Sequence, residues 1–167
     1  MIIEYSDLQG IALRAVSGEK LGEVDFAVFN GKEATLMGFQ IVHRKIIKKF
    51  SGVYFSDLID ITKDEIVIED QKILKPNLQD LDKTYKNFGP VVGVVATTES
   101  GKRIGKVADL YIDLTTGGII RFYIKNLLQE RIIPKEYLVA ITPDRIVFKD
   151  IVGTPKFNEA STQAVQG

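Results

Sequence analysis

His43 stands at the head of a basic run, followed by Arg44 and Lys45 and then by Lys48, Lys49 and Phe50. Neighbouring cations favour the neutral imidazole, which is the form a general base needs. A nucleophilic triad also needs a hydroxyl or thiol and an orienting carboxylate. No serine or aspartate stands beside His43, and the chain has no cysteine. The run suits a different chemistry better. Cations interleaved with Ile46, Ile47 and Phe50 could contact phosphates while the aromatic ring stacks on a base. The plainer reading is a hairpin whose lysines keep a sheet edge soluble. A formal net charge of zero favours the plainer reading, because nucleic-acid-binding domains are commonly basic overall.

Asp109 and Asp113 share a strand face because their separation is even. Such a pair could bind a cation, but without a histidine, a cysteine or a third clustered carboxylate it reads as a solvated face or a turn cap. Asp57, Asp60 and Asp64 are explained by a short helical turn that leads into a strand. The chain has neither a Gly-x-x-x-x-Gly-Lys-Ser/Thr loop nor a Gly-x-Gly-x-x-Gly turn, so nucleotide binding has no support. The lack of cysteine also removes disulfides and Cys-containing zinc sites. No cofactor, catalytic or metal-ligating set is expected, and the residues point away from an enzyme.

The scaffold that would position these residues is legible from internal repetition. Ser17-Gly18-Glu19-Lys20-Leu21-Gly22-Glu23-Val24 aligns with Ser100-Gly101-Lys102-Arg103-Ile104-Gly105-Lys106-Val107, 83 residues later, and Gly10 and Gly93 share that offset. Leu58-Ile59-Asp60-Ile61-Thr62 and the following Asp64-Glu65-Ile66-Val67 match Leu138 to Thr142 and Asp144 to Val147 at an offset of 80. The second copy is thus about three residues shorter between these landmarks.

Both copies consist of short β-branched and aromatic runs bounded by Gly, Asp and Thr, which predicts an all-β barrel or sandwich. Gly18, Gly101, Gly117 and Gly118 fall where hairpins need positive φ. Gly22 and Gly105 lie just inside the next strand and predict a bulge or a close backbone approach. Residues 1–73 form the first copy, 74–90 a linker, 91–152 the second copy and 153–167 a flexible tail. In the linker, Leu78, Leu81 and Tyr85 are spaced for one short helix capped by Asn77.

Gly101-Lys102-Arg103-Ile104-Gly105-Lys106-Val107-Ala108-Asp109, then Ile112-Asp113, a Gly-Gly-Ile turn, an Ile-Pro and Asp-x-Ile-Val together resemble the PRC-barrel family. The resemblance covers most of residues 91 to 149. The first copy keeps Gly18, Gly22 and Val24 but has Phe26 in the place of Asp109 and Tyr54 in the place of Pro134. It also departs between Val28 and Phe50, where a specialised surface is expected. The resemblance implies two tandem small β-barrels used as interaction modules, in settings that include a photosynthetic reaction-centre subunit and the ribosome maturation factors. The membrane helix of the former and the distinct N-terminal barrel of the latter have no counterpart here.

A chain of 167 residues with 45% hydrophobic and 26% charged residues has the profile of a soluble globular protein. No apolar run approaches the roughly 18 residues of a membrane span, and the N-terminus lacks the pattern of a secretory signal. A cytoplasmic location follows as the expectation. Barrels of about 60 to 80 residues are marginal alone, so the copies should pack together with approximate two-fold symmetry, and the leftover surface allows a homodimer. The expected function is a non-catalytic adaptor or scaffold that recognises a protein partner. Its candidate surface is Arg44, Lys45, Lys48, Lys49 and Phe50, with Tyr111, Tyr123 and Tyr137 as aromatic contacts or core. The alternative is an RNA- or ribosome-associated factor that uses the basic run. A small hydrolase would need a pocket with converging polar groups.

Overall fold

The computed structural model describes residues 1–44, 48–76, 78, 91–142 and 144–157. The chain is all-β. In the first half, β2 (Ala12–Ala15), β3 (Lys20–Asn30), β4 (Thr35–Arg44), β5 (Lys48–Tyr54), β6 (Asp60–Ile61) and β7 (Glu65–Ile68) form a 6-stranded sheet in the order β5-β4-β3-β2-β7-β6. The second half repeats that order with β8 (Val95–Thr98), β9 (Arg103–Asp113), β10 (Ile119–Lys125), β11 (Glu130–Pro134), β12 (Leu138–Ile141) and β13 (Arg145–Phe148), giving β11-β10-β9-β8-β13-β12. Even the unusual element is duplicated. β2 runs parallel to β7, and β8 runs parallel to β13.

The turns repeat at the level of single hydrogen bonds. Gly18 N–H donates to Ala15 O at 2.9 Å and Gly101 N–H to Thr98 O at 2.9 Å. Both glycines have φ of +92°, a conformation that costs a side-chain-bearing residue free energy and glycine nothing. Three residues further on, the β2·β3 and β8·β9 registers each slip by one residue, at Leu21 and at Ile104. Gly22 and Gly105 flank these bulges, and neither has room for a Cβ. One built on Gly105 would lie 2.5 Å from Lys125 O, and one on Gly22 would lie 2.6 Å from Ile41 Cγ2.

Among the described residues each sheet is an open ladder, so the all-β part of the expectation holds and no closed barrel is found. In each half the segment after the last strand, rather than another strand, approaches the free edge of the hairpin. Gly52 in β5 exchanges two 2.8 Å backbone hydrogen bonds with Lys75. In the second half the Arg131 guanidinium of β11 donates to Val152 O at 2.8 Å.

The halves share one continuous core in which Leu13, Phe39 and Ile66 of the first join Leu110, Phe122 and Phe148 of the second. They meet across the β3–β4 and β9–β10 turns, which are equivalent elements. Thr35 bridges Gly118, Leu36 N–H donates to Gly117 O at 2.7 Å, and Ile119 N–H donates to Ala34 O at 2.9 Å. Thr35 and Gly118 stand 83 positions apart, the repeat offset itself, and the same offset carries Leu36 onto Ile119 and Ala34 onto Gly117, so the two hydrogen bonds are mates under an approximate two-fold axis. The N-terminus breaks the symmetry. β1 (Ile2–Glu4) pairs antiparallel with β9 of the second half, and α1 (Tyr5–Leu8) contacts both β3 and β9.

Leu78 of the linker is buried and seats on the side-chain-free face of Gly52. The expected helical cap Asn77 and residues 79–90, Leu81 and Tyr85 among them, lie outside the described residues. The stretch from Gly153, expected as a flexible tail, instead begins with packing. Phe157 is 2% exposed and sits edge-on to Tyr137 at 4.9 Å between ring centroids. Residues 158–167 lie outside the described residues.

Candidate functional site

The repeat gives the protein two equivalent hairpins, β4–β5 and β10–β11, each at one end of its sheet. The three-residue length difference between the copies falls here. The 83-residue offset still holds at the Thr35–Gly118 bridge, whereas the 3₁₀ turns that follow the hairpins, Phe55–Asp57 and Lys135–Tyr137, are 80 apart. A shared core with divergent hairpin ends is the pattern of a scaffold that carries its specificity on loops.

The β4–β5 ladder runs from Gly38 opposite Tyr54 to Arg44 opposite Lys48, with His43 opposite Lys49 and Val42 opposite Phe50. Strand alternation assigns two faces. Phe39, Ile41 and Val53 point into the core, and His43, Lys49 and Ser51 extend that face beyond it. His43 Nε2 lies 2.7 Å from Ser51 Oγ, a pair the sequence did not suggest, since the hairpin fold brings together residues eight positions apart. Among the described residues the two have no orienting carboxylate on the histidine's second nitrogen, and the contact orders the end of the ladder. The opposite face holds Phe26, Val28, Met37 and Tyr54, packed with Leu78. Phe50 continues that face and is half exposed.

Of the basic run, Lys49 is exposed, and Arg44 and Lys48 occupy paired ladder positions. Lys45 lies outside the described residues.

The equivalent outer face of the second half is polar. Asp109, which stands where the first copy has Phe26, accepts hydrogen bonds from the Ser6 backbone N–H at 3.1 Å and its hydroxyl at 2.6 Å, and so ties α1 to β9. Asp113 accepts from Thr115 N–H at 2.9 Å and closes the β9–β10 turn. The two carboxylates therefore serve separate structural bonds. The Arg121 guanidinium lies 4.7 Å over the Tyr111 ring, its cross-strand partner. Tyr111, Tyr123 and Tyr137 are all half-buried rather than core.

Tyr123 donates a short hydrogen bond to Glu130, whose other oxygen is 3.2 Å from Lys125 Nζ. That bond stabilises the neutral phenol and pushes its pKa up to about 12, while it holds the Glu130 carboxyl below its ordinary value. An ultraviolet titration should therefore show this tyrosine ionising late, and Glu130→Gln should return one phenol towards the ordinary range near pH 10. An unchanged titration in the variant would break the assignment.

Sequence reasoning overlooked the β10–β11 turn. Leu127 and Leu128 are 103% and 93% exposed, and they stand beside Arg103, Lys106 and Lys125 on a groove of about 740 Å³. Asn126 organises the turn. Its N–H donates to Gln129 O at 2.9 Å, its side-chain oxygen accepts from Leu128 and Gln129 N–H at 2.8 Å each, and its amide donates to Ile104 O at 3.1 Å. The signal was present as two consecutive leucines between an asparagine and a glutamine, a hydrophobic pair at a turn where a core has no use for it.

Among the described residues no helix is long and apolar enough to cross a membrane. No protein-family model matches this chain, and comparison with curated proteins finds no match either, so the functional reading rests on the fold and the two hairpins.

Proposed function

We propose that this protein is a non-catalytic cytoplasmic adaptor built from two PRC-barrel-like units. The reading is supported by one observation above the others: the halves keep a common strand order and a common core, while their equivalent hairpins diverge in length, charge and exposed apolar side chains. An adaptor needs two different contact surfaces on a rigid body, and duplication followed by divergence at the loops supplies them. The β4–β5 hairpin is the protein-binding surface in this reading. Its half-exposed Phe50 continues an apolar sheet face, and an aromatic side chain in such a place is the usual anchor of an interface.

The test is affinity capture of the tagged full chain from its own lysate after RNase treatment, comparing the natural sequence with Phe50→Ser and with Lys49→Glu. The adaptor reading expects a protein partner that survives RNase and is reduced about tenfold or more by Phe50→Ser, the loss typical of an interfacial aromatic. Ribosomal proteins that disappear with RNase, and recovery that falls with Lys49→Glu and with salt, would replace it with the RNA- or ribosome-associated reading. Equal recovery by all three proteins would remove the β4–β5 hairpin from either role.

A further inference from the structure

The β10–β11 turn is the second of the divergent hairpins, and the adaptor reading assigns it no occupant. Leu127 and Leu128 project into water at 103% and 93% exposure, and four hydrogen bonds through Asn126 hold the turn that presents them. Directly behind the tip, Lys106 and Lys125 face each other across the β9–β10 ladder, and Arg103 lines the same groove. Like charges placed directly opposite destabilise a sheet unless an anion lies between or above them. Glu130 offsets part of that charge through its 3.2 Å contact with Lys125, and the three cations still leave an excess of positive charge. We propose that this hairpin is a membrane-docking tip that inserts Leu127 and Leu128 into the surface of an anionic lipid bilayer and sets Arg103, Lys106 and Lys125 against the headgroups.

Two features favour a bilayer over a protein groove or a nucleic acid. Side chains this exposed stand clear of every neighbour, which suits a soft apolar medium that closes around them. The cations lie behind the leucines rather than beside an aromatic platform, so apolar tip and charged collar fall at the successive depths of acyl chains and headgroups. One apolar contact and a few basic residues give reversible, salt-sensitive binding of the peripheral kind. The inference concerns a different hairpin from the one assigned to the protein partner, so each can fail without the other.

The experiment is co-sedimentation of the full chain with phosphatidylcholine vesicles, with and without one-third phosphatidylserine, at low and high salt. The natural sequence should sediment with the anionic vesicles, much less with the neutral ones, and less at high salt. Leu127→Ser with Leu128→Ser should reduce the bound fraction about tenfold or more, from the apolar area no longer buried, with an unchanged thermal melt because these side chains are outside the core. Lys106→Glu should weaken binding to anionic vesicles alone. Failure of the natural sequence to sediment, or sedimentation indifferent to the leucines, would overturn the proposal. If the leucine variant instead loses an RNase-resistant protein or an oligonucleotide while the natural sequence ignores vesicles, the tip docks on a macromolecule and the bilayer is refuted.

Discussion

Gly105→Ala will destabilise the protein by about 3 kcal/mol, whereas Gly101→Ala, four residues earlier, will cost roughly 1 kcal/mol. Both glycines have positive φ, +144° and +92° respectively, so both substitutions force an L-residue into a conformation it resists. The difference is what the new methyl meets. At Gly101 nothing lies within 4 Å, and the cost is conformational alone. At Gly105 the Cβ would lie 2.5 Å from Lys125 O and 2.9 Å from its carbonyl carbon. Backbone inside a ladder cannot swing aside as the end of a flexible side chain can, so β9 and β10 would have to separate where Lys125 pairs with Lys106. Denaturant midpoints of the two variants measure the contrast. Equal losses would mean that the bulge at Ile104 absorbs the methyl and that φ alone sets the requirement.

The β character of each half and its duplication were accessible from sequence because they depend on local signals, glycines at turns and short β-branched runs, repeated at an offset along the chain. The strand order, with its parallel β2–β7 and β8–β13 pairs, rests on long-range pairing that no local signal specifies. Tyr54 and Pro134, aligned through that offset, prove to be the N-cap positions of equivalent 3₁₀ turns. Closure was not accessible in the same way. Whether a sheet meets itself depends on what occupies its last free edge, and here Lys75 and the Val152 carbonyl arrive from segments that carry no strand pattern. The crossing of β1 onto β9 was hidden for a related reason. Ile2 and Ile3 read as the start of the first copy, and nothing in three residues specifies which sheet they join.

The candidate surface divides along the same physical line. Composition singled out the basic run at residues 43–50, because charge and aromaticity are properties of residue type. Leu127 and Leu128 escaped notice because their meaning lies in exposure: a leucine pair in a strand-rich sequence reads as core until the turn around Asn126 places it in water. Asp109 and Asp113 show the converse. Their spacing along one strand allowed a shared cation but read as a solvated face or a turn cap, and Asp113 does close a turn, whereas the bond of Asp109 to Ser6, 103 positions away, had no signal in the spacing.

Ile3→Ala combined with Leu8→Ala will unfold both halves together rather than release the first and leave the second intact. Ile3 is 6% exposed in β1, opposite Ile112 of β9, and Leu8 is completely buried in α1 between β3 and β9. Each truncation removes side-chain burial and leaves a cavity, at a cost of about 2 to 5 kcal/mol. Their combined loss is comparable with the roughly 5 to 15 kcal/mol that holds an ordinary domain folded. The damage cannot stay local, because the core is continuous from Leu13 and Ile66 to Phe122 and Phe148, and the paired Ala34–Ile119 and Leu36–Gly117 hydrogen bonds join the sheets at their symmetry axis. Hydrogen exchange should show the amides of β7 and β13 losing protection to the same extent in the variant, and denaturant unfolding should stay a single transition at a lower midpoint. Two transitions, or exchange in β7 with β13 still protected, would mean that each half is its own folding unit and that the shared core is a docking contact between independent domains.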